Sequence, residues 1–384
     1  MTQLPTLIGL DIGFGETKVV SSAHPEQTFS YQSFVQPTEK GSARMMSLPH
    51  IDPARLNVEI DGEYFFIGDY AKNIPSSVSK RTKAKDRGKD KFSQVLFRTA
   101  IALACPHEAG EHEVSIVTGL PNMDYESHIK DSLQEYLSED FEISFILSPD
   151  KKIDMKIKIK DVEILKQPEG SMSHSQFSFS TDKNRLVALR PNSAEYIGLV
   201  DIGHYTTDYG LFNQGIMIQG GEVSGSTIAV DDLYRQFRTE TVKYFSDIGL
   251  QYEPTDSDLD RLVREKKIKF AGEDHDMSEI HEKAVRNTAE RLVKQVQESW
   301  KTEINRVDKI LITGGGAHVL APEISRIFTE SSIQDFEVVE DPTMANAMGF
   351  YMFGVLKLST ELDVAIEDIR EKYINPLVGG GVFE

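Results

Sequence analysis

The sequence predicts an α/β protein of two related domains, on three observations. The stretch "LDIGFGETKVV" at residues 10–20 is nearly repeated as "VDIGHYTTDYG" at 200–210, which puts Asp11 and Asp201 190 residues apart in a chain of 384. Strand-like and helix-like segments alternate along both halves, the pattern of sheets covered by helices. A chain of this length exceeds one ordinary core and suits two or more domains.

Hydrophobic residues at 39% and aromatics at 9% describe a globular protein. Lys and Arg number 42 against 61 Asp and Glu, a formal net charge of −19. Such a surface repels phosphate backbones, which argues against direct binding of nucleic acid. The opening "MTQLPTLIG" has no basic n-region and no long apolar core, so no signal peptide is expected. The most apolar window, "VLFRTAIALAC", carries Arg98 and falls short of a membrane span. One cysteine, Cys105, rules out an internal disulfide and reads as a small packed hydrophobe. A cytoplasmic protein is expected.

Residues 4–12 supply an apolar strand, Gly13 and Gly15 turn the chain, and "TKVV" resumes a strand. "VEIDGEYFFIGDYA" reads as a hairpin around Asp61-Gly62. Residues 72–91 hold eight basic and two acidic side chains: a solvated loop, or a contact for an acidic surface such as that of another copy. A helix is expected over 92–104, then the strand "EVSIVTGLP", then a helix in "YESHIKDSLQEYL" with Ile129, Leu133 and Leu137 on one face. Residues 141–166 alternate as a strand does. The Ser-rich "QPEGSMSHSQFSFSTDKNR" reads as a loop or irregular insertion.

"AEYIGLVDIGHYTTDYGLF" is again strand, glycine turn, strand. A helix follows in "GSTIAVDDLYRQFRTETVKYF", then a charged, partly helical region over 253–285. Leu292, Val296, Trp300 and Ile304 recur at helical spacing and mark an amphipathic helix. The strand "KILITGGGA" precedes a helix from Pro322, and Asp341-Pro342 opens the apolar helix of "MANAMGFYMFGVL". A last helix carrying Leu362, Ile366, Ile369 and Tyr373 ends at Asn375-Pro376, before a mobile tail.

The repeated loop has a chemistry of its own. A tight turn between strands presents consecutive backbone N–H groups at its tip, and glycine lets a phosphate approach them. Gly13, Gly15, Glu16 and Thr17 form the first tip, and Lys18 adds a charge able to reach a β- or γ-phosphate. Gly203, Thr206 and Thr207 form the second. Two such hairpins facing each other would clamp one polyphosphate. Asp11 and Asp201 end the two leading strands, and Mg²⁺, which keeps most of its waters, is held through one or two carboxylates plus phosphate oxygens. Asp208 is a third carboxylate, able to orient water. In "ILITGGGA", Gly314, Gly315 and Gly316 would let a flat nucleoside lie against the backbone. His204 reads as decoration of its turn, and no histidine spacing suggests zinc.

These motifs, "DIGFGETK", "DIGHYTTD", "GGGA" and the helix "ANAMGF", occur in the order of a known superfamily: actin, the heat-shock-chaperone ATPases and the sugar kinases. Within it the chain resembles the prokaryotic actin-like proteins, especially the ParM-type plasmid-segregation actins, also through its "VTGLP" turn. The resemblance implies the duplicated actin-like (ribonuclease-H-like) α/β fold with nucleotide in the interdomain cleft. It implies a first domain over 1–188 with a small subdomain inserted at about 30–95, and a second over 189–384 with one at about 225–300.

Carried onto this chain, the resemblance gives Asp11 and Asp201 to hydrated Mg²⁺, and Gly13, Gly15, Thr17 and Lys18 to the β- and γ-phosphates. Gly203, Thr206 and Thr207 complete the clamp. Gly314, Gly315 and Gly316 line the adenosine, with Gly225 beside them and an acid or base of "LVREKK" near the ribose or base. Glu169, in the "QPE" context, would orient the attacking water, although the 32 residues from it to Asp201 exceed the usual spacing. The implied activity is hydrolysis of ATP or GTP with Mg²⁺, coupled to polymerisation into filaments that move plasmid DNA through a DNA-binding adaptor. Alternatives are a non-polymerising nucleotide switch and a small-molecule kinase of the same fold. A chaperone would need a further peptide-binding domain, and no membrane-binding amphipathic helix is evident.

Overall fold

The computed structural model describes residues 4–24, 27–42, 47–73, 80–81, 84–180, 185–188, 196–218, 224–330 and 335–361. They fall into two compact units divided at 193/194, with the segment from Met344 returning to the first. The expected helix carrying Leu362 and the tail beyond it lie outside the described residues, as do residues 74–79 and 82–83 of the basic run.

In the first unit, β1 (Thr6–Ile12) and β2 (Glu16–Ser21) form the first glycine hairpin, followed by β3 (Phe29–Gln32), β4 (Phe34–Thr38), β5 (Leu56–Ile60) and β6 (Glu63–Ile67). Then come α1 (Gly68–Asn73), β7 (Lys80–Arg81), α2 (Lys91–Leu103), β8 (Gly110–Leu120), α3 (Asn122–Tyr125) and α4 (His128–Leu137). The long hairpin β9 (Phe141–Ser148) and β10 (Lys151–Lys166) leads into α5 (Gln167–Gln176) and a small hairpin of β11 (Phe177–Ser180) and β12 (Arg185–Ala188). Ten strands make one mixed sheet in the order β3-β2-β1-β8-β10-β9-β5-β6-β4-β7, with β1, β8 and β10 parallel. The β5–β6 turn is made as expected at Asp61-Gly62, both with positive φ (52° and 78°), the geometry a two-residue hairpin demands.

The second unit repeats the plan. It contains β13 (Tyr196–Ile202), β14 (Thr207–Asn213), β15 (Ile216–Met217), β16 (Ser224–Ser226), α6 (Val230–Asp247) and α7 (Asp256–Glu265). A hairpin of β17 (Lys267–Phe270) and β18 (Glu273–Asp276) precedes α8 (Ser278–Trp300), β19 (Lys309–Thr313), α9 (Ala317–Glu330) and β20 (Phe336–Val338). Its sheet runs β15-β14-β13-β19-β20, and β16 also pairs with β14. This is the order β3-β2-β1-β8-β10 over again, with β13, β19 and β20 parallel.

Alternation along β1 sends Ile8, Leu10 and Ile12 to one face and Leu7 to the other. The first set joins Val95, Leu96 and Ile101 of α2 and Leu133 of α4 in the main core. Leu7 joins Val117, Phe350 and Tyr351 under α10 (Ala345–Glu361). The sequence assigns this last helix to the second domain; the structure places it in the first, because its apolar face lies on β1 and β8. Gly9 permits the approach, since a Cβ there would come within 2.3 Å of the Ala347 carbonyl oxygen.

Three other expectations change. "QPEGSMSHSQ" is a helix, not a loop. Its small residues let it lie against α10 so closely that a Cβ on Gly349 would sit 1.8 Å from the Gly170 carbonyl oxygen, and Ser171 donates to Asn346 Oδ1 at 2.7 Å. Serine and glycine are weak helix formers, so packing decides this segment. The helix expected from Pro322 begins at Ala317 and contains that proline. Ile304 falls in a 3₁₀ turn after α8, not on it; Leu292, Val296 and Trp300 do share the buried face. Gly198 leaves room for the Trp300 ring, which would otherwise lie 2.5 Å from a Cβ.

Cys105 is buried and its thiol is pushed up to about 12 by burial, as befits a packed hydrophobe. Among the described residues no helix is long and apolar enough to cross a membrane. Near Cys105, the rings of His24 and His107 lie 4.4 Å apart. Burial holds both imidazoles below the ordinary 6.5, outweighing the backbone bonds to Cys105 and Leu103. Protons therefore bind the unfolded chain better than the folded one, so stability is full above pH 6.5 and declines as pH falls below it. Urea midpoints at pH 7.5 and 5.5 should show this loss, and His24→Gln/His107→Gln should flatten it.

Candidate functional site

The two hairpins share their geometry residue for residue. In the first, Gly13 N–H donates to the Glu16 carbonyl at 2.9 Å; in the second, Gly203 N–H donates to the Thr206 carbonyl at 2.9 Å. Ile12 pairs with Thr17, and Ile202 with Thr207. One position further from the tip, Asp11 pairs with Lys18 and Asp201 with Asp208. A Cβ would crowd the opposite carbonyl at 2.9 Å on Gly13 and 2.8 Å on Gly203, so the turns close tightly because of those glycines.

Both leading aspartates are buried, Asp11 at 4% exposure and Asp201 at 5%. Asp11 Oδ2 accepts from Lys18 Nζ at 3.2 Å, so the lysine charge sits beside the loop. Opposite Asp201 stands a second carboxylate, Asp208, 2% exposed. Like charges directly across a strand pair repel, and burial raises the cost. Thr17 and Thr207 face inward: Thr17 bonds Ser33 Oγ at 3.1 Å and Thr207 donates to the Ile228 carbonyl at 2.8 Å. Their hydroxyls brace the hairpins from within each unit. Ser33 completes the first brace by donating to the Gly13 carbonyl at 2.7 Å and binding the Gly15 carbonyl through its N–H at 3.0 Å. The Glu16 carboxylate accepts from Ser30.

The three glycines after β19 divide their work. Gly314 has φ +83°, and a Cβ there would lie 2.3 Å from Asp201 Oδ1. Gly316 packs on Ile202, binding its carbonyl at 2.9 Å, while Gly315 faces open space. This loop is therefore built against the end of β13 that carries Asp201. Gly225, across from Asp208, would bring a Cβ to 3.2 Å from that carboxylate.

Beyond the glycines, a pocket of 610 Å³ opens between α7, α8 and α9. Val263, Arg264 and Lys266 of the "LVREKK" stretch form one wall. His281, Glu282 and Val285 form a second, and His318, Val319 and Pro322, just after the glycines, a third. The apolar walls suit a flat ring, and the Lys266 and Glu282 side chains suit its polar edge. The His281 ring stacks on Phe237 with centroids 5.6 Å apart; burial first, then Lys266, holds the imidazole below its ordinary pKa.

At the start of α5 the structure separates two neighbours. Glu169 Oε2 accepts the Lys166 N–H at 2.9 Å, the reach of a third helical residue back to its cap. Gln167, 9% exposed, directs its amide to Asp11 Oδ1 at 3.4 Å. Gln167 is the residue sequence reasoning missed. Its signal was its place at the strand-to-helix junction, which could not be read while "QPEGSMSHSQ" counted as a loop.

An actin-like protein N-terminal domain model matches residues 9–170, and the C-terminal domain model of the archaeal MreB-like actin homologue matches 199–326. No curated protein sequence matches the chain. Among solved structures, the 15-stranded ParM filament from Clostridium botulinum is 21% identical, over 92% of this chain and 99% of that one, with a TM-score of 0.74. An archaeal actin homologue is 16% identical over 92% and 99%, TM-score 0.73. The complex of that homologue with ADP is 17% identical over the same shares, TM-score 0.71. Two actin-type domain models in tandem on a doubled sheet plan place this chain in the actin-like superfamily, with the two-domain fold of the ParM and archaeal actin homologues.

Proposed function

We propose that the protein binds a nucleoside triphosphate with Mg²⁺, hydrolyses it, and assembles into filaments of its own copies. The carrying observation is the pair of matched hairpins, each with a buried aspartate one residue before the end of its leading strand. The residues fit the group. Gly13, Gly15 and Gly203 allow a close backbone approach, with Lys18 as a fixed cation. Asp11 and Asp201 each offer a buried carboxylate of the kind that holds a hydrated Mg²⁺. Thr206 belongs to the second tip, and the pocket beside Gly314, Gly315 and Gly316 would take the nucleoside. When bound, the divalent ion neutralises phosphate charge and lowers the cost of bringing a nucleophile to it.

Hydrolysis then needs positioning more than covalent chemistry. Gln167 is the group we assign to hold the attacking water, its amide lying between α5 and Asp11. Glu169, the acid that the resemblance implies, caps its own helix, and Asp208 faces Asp201 across β13 and β14. Gln167→Ala should lower the rate of phosphate release by about 100-fold with little loss of nucleotide affinity. Glu169→Ala should cost about 1 kcal/mol of stability by removing its cap and leave turnover within a few-fold. The reverse ranking in a phosphate-release assay would return the role to Glu169.

The filament reading is supported by likeness to a ParM solved as a filament. A charge of −19 favours a DNA-binding adaptor between such a filament and plasmid DNA over direct contact. Light scattering recorded alongside phosphate release after adding Mg²⁺-ATP or Mg²⁺-GTP tests the whole reading. A rise in both supports it; phosphate release with flat scattering at every concentration removes the filament.

A further inference from the structure

We infer that Arg87 is a positioning residue that holds the first phosphate loop in shape before nucleotide arrives. This rests on the nucleotide-binding reading and adds a residue to it. Arg87 lies in the basic run that the sequence presents as a solvated loop, yet it is only 4% exposed. Its Nη1 donates to the carbonyl of Ile12, the last residue of β1. Its guanidinium lies over the Phe14 ring, 4.1 Å from the centroid. One planar group thus grips the loop on both sides of Gly13, by its edge and by its face, which only arginine among the cations can do.

The grip has a firm base. Asp86 accepts from Ser132 Oγ of α4 at 2.7 Å, and Gly88 packs so tightly there that a Cβ would meet the Ser132 carbonyl oxygen at 2.5 Å. Asp90 caps α2 through the Ser93 N–H at 2.8 Å. Burial holds the Asp124 carboxylate of α3 above the usual carboxylate range, against the opposing pull of the nearby Arg87 and Lys85 charges. Residues 84–90 are therefore a strut from α2 and α4 to the tip of the hairpin.

A loop with glycine at 13 and 15 has wide conformational freedom. A phosphate that needs its N–H groups aligned must bear the entropy of ordering them. Pinning Ile12 and Phe14 removes much of that cost in advance. The effect falls on binding of the phosphates and not on the water attack, so affinity and turnover should separate.

The test uses the full chain and Mg²⁺ with mant-ADP or mant-GDP, whichever the wild type binds. Arg87→Met should weaken Kd about tenfold, with kcat for the triphosphate within about threefold. Arg87→Lys should stay nearly as weak, since an ammonium cannot grip both points. Phe14→Leu, at a half-exposed position, should weaken binding as well, and Arg87→Met/Phe14→Leu should bind no worse than Arg87→Met alone. Unchanged Kd in Arg87→Met, with or without a lower melting temperature, overturns the inference. So does wild-type binding by Arg87→Lys, which would leave only long-range charge. A wild type that binds neither diphosphate overturns the nucleotide reading itself.

Discussion

Asp201→Asn is expected to lower nucleoside triphosphate hydrolysis by at least ~100-fold and to suppress the accompanying light scattering. Asn keeps the shape of the side chain, so the Gly314 loop packed against it has no reason to move. What is lost is the charge that the proposed site sets against metal and phosphates. The same change removes one of two buried carboxylates that oppose each other across β13 and β14. Repulsion between them is relieved, so the thermal melt should hold or rise while activity collapses. That divergence marks a functional charge: a residue kept for stability would lose both together. Turnover near the wild-type rate in Asp201→Asn would remove the aspartate from the metal site.

Gly349→Ala should destabilise the first unit by about 3 kcal/mol. The new methyl would meet backbone, 1.8 Å from the Gly170 carbonyl oxygen and 2.4 Å from its carbon, and backbone has no rotamer to yield. Relief requires α5 and α10 to separate, breaking the Ser171–Asn346 bond and lifting Phe350 off Gly119 and Gly170. Because α5 begins at Gln167, whose amide meets Asp11, nucleotide turnover should fall with stability. Urea denaturation followed by circular dichroism, with amide exchange along α10, gives the readout. Gly315→Ala is the control, since a Cβ there meets nothing within 4 Å, and its stability should stay within ~0.5 kcal/mol. An unchanged urea midpoint in Gly349→Ala would mean the two helices do not approach as described.

The repeat was legible because its constraint is local. A turn that must expose N–H groups needs glycine at fixed offsets, and a strand with a buried aspartate near its end leaves an apolar run with one acid there. Ile129, Leu133 and Leu137, and Leu292, Val296 and Trp300, were legible for the same reason, since a 3.6-residue period is written directly in sequence. The segment "QPEGSMSHSQ" was not. Its helix is held by close contact with α10, with 175 residues separating Ser171 from Asn346, and the small residues that permit such contact look like a loop when read alone. Arg87 was hidden in a similar way, one cation among eight in its run, singled out only by the carbonyl and ring it meets.

The sequence by itself determined the doubled plan, the two glycine turns, the aspartate near the end of each leading strand, and the net charge of −19. These follow from periodicity, turn chemistry and composition, which act over a few residues or over the whole chain. Only the tertiary structure decided that the last described helix belongs to the first unit, that Gln167 and not Glu169 faces Asp11, and that Thr17 and Thr207 turn inward. Each of those outcomes depends on which distant surfaces come within van der Waals or hydrogen-bond reach. Such contacts are set by the packing of whole elements, for which a single chain carries no local mark.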